Sequence, residues 1–309
     1  MYYSTAFGLR IGSDIHIPEF SPTQGEPDVI MLTRELAPPP GCPEGENVRL
    51  MVPFNGGVLL HWNAIGSFLV QEGRQVTISP RHGVDEALVR LVLTGPVLGV
   101  LLIQRGWAVF HAAGVACPLT GAAVAFAAVK GEGKSTMAAA MYNAGYGMIS
   151  DDLTAVSFDN EHPLVSPGFP RSKLWTESAE ALTDGDDTLS MIFPGFKKMS
   201  RTVNDRFITT QAFLKAVFVL ETADEIVIER LSGFKAVRAL LPHWYGALFD
   251  GQLLPIFGQE RYFREIANLA SKVRVFRLAR PRRFDVLQEV AARVDYVLSE
   301  KEECLGDGA

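Results

Sequence analysis

The run from 124 to 152, VAFAAVKGEGKSTMAAAMYNAGYGMISDD, concentrates residue types that handle phosphate. Gly131 and Gly133 let the backbone come close to an anion, with their N–H groups turned inward. Lys134 can reach the outer phosphates, and the Ser135 hydroxyl can ligate Mg²⁺. Lys130, Glu132 and Thr136 complete the candidate loop. An apolar stretch over 124–129 precedes it and reads as a buried strand. An alanine-rich segment over 135–143 follows and reads as a helix, whose N-terminus faces the same anion. Gly145 stands where that helix would stop. The pattern G-x-x-x-x-G-K-[ST] asks for glycine at 128, where this chain has Ala128. Strand, glycine loop and helix in that order compensate for the departure.

Asp151 and Asp152 follow at the C-terminal end of the next strand, the edge at which open α/β sheets bind ligands. One carboxylate there can hold Mg²⁺, and one can take a proton from an attacking hydroxyl. Adjacent residues of a strand point to opposite faces, so a shared role requires a sharp turn at the pair. His111 ends the strand before the loop strand and can reach the transferred phosphate. Arg171 and Lys173, in GFPRSKLW, are the candidates for neutralising charge on the phosphoryl group in flight. Lys197, Lys198, Arg201 and Arg206 read as a solvated basic stretch or as contacts to an acidic substrate. His162, His243, Cys117 and Trp175 read as packing or surface residues.

These residues need elements to carry them. The chain has 309 residues, 48% of them hydrophobic and 21% charged, which suits a globular protein with two lobes. A net charge of −6 argues against a dedicated nucleic-acid binder. Cys42, Cys117 and Cys304 are widely spaced, imply neither a disulfide framework nor a metal site, and fit a reducing, cytoplasmic setting. The opening residues lack a basic segment and a long apolar core, so no signal peptide is expected. The longest apolar run, 91–103, is about 13 residues, shorter than the roughly 20 that a bilayer needs, and is expected to be a buried helix bent at Pro96. No membrane association is expected.

Residues 1–83 read as a β-rich N-terminal lobe, with VIMLT, VRLMV, GVLLHW and FLVQEG as strands. Residues 84–105 read as a connecting helix, and 106–309 as the catalytic domain. Within it, WAVFHAAGVAC reads as one strand, LTAVSFD and LKAVFVLE as strands, and EIVIERL as a further strand. Residues 176–206, with the TDGDD cluster, read as loop or short helix. ALLPHWYGALF and RYFREIANLASKV read as amphipathic helices, VRVFRLARPRRF as containing a strand, 285–299 as a last helix, and KEECLGDGA as a frayed tail.

The run from His111 to Asp152, with its Gly-Lys-Ser-Thr loop, Gly-Tyr and Asp-Asp, resembles the catalytic domain of the HPr kinase/phosphorylase family. The opening YxxAFGLxI, the later PGFPRSKLW and the LKAVFVLE strand are similar to HPr-kinase-like proteins of peptide natural-product clusters, including lasso-peptide kinases. The resemblance implies an α/β fold: a P-loop kinase domain of the type shared with phosphoenolpyruvate carboxykinase, behind the β-rich lobe. It implies ATP and Mg²⁺ as cofactors, bound through residues 130–136 with Ser135 and Asp152 on the metal. Asp151 would be the general base, and His111 would sit beside the reacting phosphate. The acceptor would be a serine of a peptide or small protein, most sharply the C-terminal serine of a lasso-type precursor. The docking and phosphorolysis segment of the HPr kinases proper is absent, so HPr itself and a reverse reaction are not expected. A small-molecule hydroxyl kinase and a non-catalytic nucleotide-binding module remain as alternatives, and a homo-oligomer remains open.

Overall fold

The computed structural model describes residues 1–160, 162–183, 189–193, 197–203 and 205–300. Most of the TDGDD cluster and the KEECLGDGA tail with Cys304 lie outside the described residues.

The N-terminal residues build one eight-stranded sheet. Val29–Thr33 lies parallel to Leu9–Ser13 on one side and to Gln75–Pro80 on the other. A meander of antiparallel strands, Gln75–Pro80, Gly66–Gln71, Gly57–Trp62 and Arg49–Phe54, extends it to an edge. That edge is covered by the second half of the chain: Gln252 Oε1 accepts from the Met51 amide at 2.8 Å, and Arg49 pairs with Asp250 at 2.7 Å.

Apolar residues 86–104 run as one helix of 19 residues against this sheet. Among the described residues it is the one helix long and apolar enough to cross a membrane, and it is mostly buried inside the protein. Pro96 has no N–H to give. The helix absorbs the loss by widening into a π turn over Leu93–Val97 rather than by breaking. Gly99 brings the helix onto the Tyr245 ring, where a Cβ would stand 2.3 Å from Cε1.

The second large sheet places Ala123–Ala127 between the antiparallel Ala112–Ala116 and the parallel Ala212–Thr222, with Arg274–Arg280 parallel beyond that. Along Ala123–Ala127, odd and even residues enter two different cores, so both faces are covered and the strand reads as one continuous apolar run. Phe126, Phe218 and Phe276 are register partners and stack across the three parallel strands at 5.7 and 4.9 Å. That ladder pins the register of the loop strand. Helices Lys134–Asn143 and Leu287–Ser299 cover this face.

Three elements differ from the sequence expectation. WAVFHAAGVAC is two strands, Ala108–Phe110 and Ala112–Ala116. The first pairs with Thr154–Asp159 and the second with Ala123–Ala127, so the chain changes neighbours at His111. ALLPHWYGALF is not a helix: regular helix stops at Leu240, and three short 3₁₀ turns follow. Pro242 interrupts the hydrogen-bond ladder, and Phe249 and Asp250 both adopt φ of 58°. Residues 176–206 were expected without strands, yet Leu189–Met191 and Lys198–Thr202 join Arg171–Trp175 in a small third sheet. Its pairing is long-range, and charged residues hide its alternation.

Candidate active site

The glycine loop closes at Gly133, which is the residue before helix Lys134–Asn143. Gly131 and Gly133 have φ of 95° and 89°, the left-handed region that a Cβ disfavours. At Gly133 a Cβ would also lie 2.5 Å from Arg280 Nη2. That guanidinium is buried under the loop and donates to the Glu132 carbonyl at 3.3 Å. Glu132 is tied on its other side, accepting from the Thr222 hydroxyl at 2.7 Å. The Lys134 ammonium is buried and donates to the Ala128 carbonyl at 3.1 Å. Burial pulls its pKa below the ordinary value, and the Asp152 and Asp151 charges oppose that.

The acid pair sits in the turn between Gly147–Ser150 and Thr154–Asp159. The strand has ended at Ser150, so the alternation that would send the two carboxylates to opposite faces no longer applies. Asp152 has φ of 62°, a conformation that Asp tolerates better than most residues. The turn is stitched by Ser150 and Thr154, whose hydroxyls lie 2.9 Å apart, and by Thr154 donating to the Ala112 carbonyl at 3.0 Å. His111 is therefore held next to the pair by the same junction.

The two carboxylates have different surroundings. Asp151 is buried and accepts three hydrogen bonds: from Ser135 Oγ at 2.8 Å, Ser172 Oγ at 3.2 Å and the Lys173 amide at 2.6 Å. Burial, then the adjacent Asp152 charge, pushes its carboxyl above the usual range. Asp152 is 29% exposed and faces the Lys173 ammonium, with Nζ at 3.7 Å, and the His111 ring, with Nε2 at 3.9 Å. Burial would raise its pKa, but Lys198, Lys173, His111 and Lys134 together hold it well below the usual carboxylate range.

Burial, followed by the Lys134 charge, lowers both His111 and His243 from 6.5 to about 4, with Asp152 opposing the shift at His111. The unfolded chain binds these protons near pH 6.5 and the folded chain only near pH 4. The stabilisation from neutral imidazoles is therefore complete above pH 6.5 and is lost as the pH falls from there to 4. Each ring can contribute up to ~3 kcal/mol to that loss. The urea midpoint of the nucleotide-free protein is expected to fall between pH 7 and 4.5, and the slope to flatten in His243→Asn. A midpoint insensitive to pH in both proteins would contradict this.

Around the loop lie two clefts. One, of ≈460 Å³, opens over Gly131, Gly133 and Thr136 and is walled by Trp175, Arg282 and Phe284. The other, of ≈650 Å³, opens over Val129 and Glu132 and reaches His243, Lys235 and Arg238.

The structure thus brings together Gly131, Gly133, Lys134, Ser135, Asp151, Asp152 and His111. Lys130 is an exposed residue of the loop. Thr136 is buried, its hydroxyl 3.0 Å from that of Ser178, so it lines the smaller cleft without a free hydroxyl. Arg171, an expected charge-neutralising cation, has its guanidinium on the Thr202 hydroxyl and is not among the groups acting on Asp152. Lys173 and Lys198 do act on Asp152. Of the basic stretch, Arg201 and Arg206 lie over the Tyr142 ring, at 4.9 and 4.0 Å. Lys198 Nζ lies 5.6 Å from the Trp175 ring, while its charge acts on the acid pair. Ser172 and Arg280 were missed by sequence reasoning, and His243 was read as packing or surface; Lys198 was named only as part of the basic stretch. Ser172 and Lys173 had a signal, their alternation in RSKLW. Arg280 had none, since only the parallel pairing of Arg274–Arg280 carries it beneath the loop.

Oxygen donors here suit Mg²⁺: the Ser135 hydroxyl and the neighbouring Asp151 and Asp152 carboxylates. Among the described residues no cluster of three or more His, Cys, Asp and Glu could cage a metal. Mg²⁺ does not need one, because it commonly takes one or two carboxylates and completes its shell with phosphate oxygens and water.

No known family profile matches the chain, and no curated protein matches its sequence. Among solved structures, it is similar to the HPr(Ser) kinase/phosphatase from Coxiella burnetii, at 11% identity and a TM-score of 0.31 over 61% of this chain and 96% of that one. The likeness is remote, and the functional reading rests on the geometry of the site.

Proposed function

We propose that this protein is a cytoplasmic, ATP- and Mg²⁺-dependent kinase that transfers the γ-phosphoryl group to a serine hydroxyl of a peptide or small protein. The observation that carries the reading is the division of labour in the acid pair. Asp151 is bonded to the loop's Ser135 at 2.8 Å, while Asp152 is open to solvent and faced by Lys173 and His111. A module that only bound nucleotide would have no use for the second acid.

The loop amides and Lys134 hold the phosphates, with the nucleoside along the smaller cleft, where Trp175 and Phe284 offer ring faces. Ser135 and Asp151 would hold Mg²⁺, which would supply charge neutralisation at the phosphates. Asp152 orients the acceptor hydroxyl and takes its proton. The oxygen bonds to Pγ, the bridging P–O bond breaks, and its electron pair leaves with ADP. Lys173 and Lys198 balance charge on the transferring group, and neutral His111 donates to it. These roles exchange those that the family resemblance implies for the two acids. The sharpest acceptor is a lasso-type precursor peptide near its C-terminal serine, which is supported by the resemblance of YxxAFGLxI, PGFPRSKLW and the loop region.

Intact-mass analysis of candidate peptides incubated with the protein, ATP and Mg²⁺ tests the reading. A gain of one phosphate on a serine is expected. Tight ATP binding with no gain on any peptide would instead favour a small-molecule acceptor or a binding module.

A further inference from the structure

The larger cleft begins at Val129 and Glu132, on the side of the loop away from Thr136 and the nucleoside cleft. Its reach to His243 brings it to the acid pair's side of the loop: the His243 carbonyl accepts from the His111 amide at 2.8 Å.

The charges of the cleft are unbalanced. Its two acids are already engaged. Glu132 accepts from Thr222 at 2.7 Å, and Glu221 pairs with Arg277 at 2.6 Å. Its two cations on helix Gly233–Leu240, Lys235 and Arg238, have no ion-pair or hydrogen-bond partner among the described residues. Between them and the loop lie apolar positions, Leu231, Ala239, Pro242 and the exposed Val129. His243 is a buried residue that lines the cleft, and its side chain makes no hydrogen bond among the described residues. A cleft with an apolar lining, an unbonded imidazole in its wall and two unpaired cations on one helix is complementary to an extended chain carrying negative charge.

Resting on the kinase reading above, we propose that this cleft is the acceptor site and that Lys235 and Arg238 select a peptide whose serine has a carboxylate close by. The carboxylate comes from a flanking Asp or Glu or from a chain terminus; both present the same group to the same cations. His243 contacts the acceptor backbone or hydroxyl as a neutral ring.

The test uses degenerate peptide libraries with one fixed serine, labelled ATP and Mg²⁺, on the full chain and on Lys235→Glu/Arg238→Glu. One library set varies the flanking residues in peptides with blocked termini. A second places serine near a free or an amidated C-terminus. Wild-type protein is expected to favour acidic flanks or the free terminus at least tenfold, and the double variant to lose or invert that preference mainly through KM. The flanking set and the terminal set distinguish the two sources of the carboxylate. ATP titration of the variant reads whether the phosphate loop is intact, and a single Lys235→Gln replaces it if the double variant does not fold. Phosphorylation with no acid preference, or with a preference unchanged in the variants, would overturn the assignment of the cleft while leaving the kinase standing. ATP binding with no peptide in either set phosphorylated would overturn the peptide-kinase reading and this inference with it.

Discussion

Lys134→Met is expected to slow phosphoryl transfer about a thousandfold with the fold intact. The Lys134 ammonium is almost fully buried, at 6% exposure, and is held on the Ala128 carbonyl at 3.1 Å. It is thus preorganised at the head of the loop before any nucleotide arrives. Removing one preorganised donor from a developing charge in a dry site costs on the order of 10²–10³ in rate. Here a full positive charge disappears as well, so the upper end of that range applies. Methionine keeps most of the volume and leaves the covered helix face packed. The chain's cost of burying the charge, seen in the lowered lysine pKa, is relieved rather than increased. Single-turnover rates with saturating ATP, alongside a thermal melt, check both halves. A rate within tenfold of wild type in a folded variant would remove Lys134 from the chemistry.

The second large effect separates the two acids. Asp152→Asn should lower kcat by roughly 10²–10⁴, the usual contribution of a positioned base, with the affinity for ATP changed only a few-fold. Asparagine tolerates the φ of 62° at this position, so the turn should survive. Asp151→Asn should behave differently. Its carboxylate binds Ser135, Ser172 and the Lys173 amide, so its loss should show as a raised Mg²⁺ requirement, by about tenfold or more, with a smaller kcat defect at saturating metal. A Mg²⁺ titration of both variants at fixed ATP decides the matter. A pure kcat loss in Asp151→Asn with the Mg²⁺ shift in Asp152→Asn would exchange the roles.

Much of the site was readable along the chain because its parts are local. Gly131, Gly133, Lys134 and Ser135 sit in one strand–loop–helix unit, and the conformations that unit needs are encoded by glycine itself. Asp151 and Asp152 follow after one helix and one strand. The Val-Ala-Phe-Ala-Ala run read correctly as a strand buried on both faces, since burial on both faces leaves no polar alternation to obscure it. The helix at 86–104 was legible from composition, and its π turn was not: a proline's missing donor can be absorbed by a kink or by a wider turn, and the packing against Tyr245 favours the latter here.

The sequence by itself determined a strand–glycine-loop–helix unit with a lysine and a serine at the start of its helix and two acids shortly after. It did so because backbone freedom, charge and short-range spacing are properties of neighbouring residues. Only the tertiary structure decided that Asp151 is bonded to Ser135, Ser172 and the Lys173 amide while Asp152 faces Lys173 and His111. It also decided that Lys173 and Lys198 rather than Arg171 act on Asp152, and that His111 stands where one apparent strand divides between two neighbours. These outcomes depend on which strands pair across long separations. The orientation of a side chain in the site follows from that pairing, and no local pattern of residues encodes it.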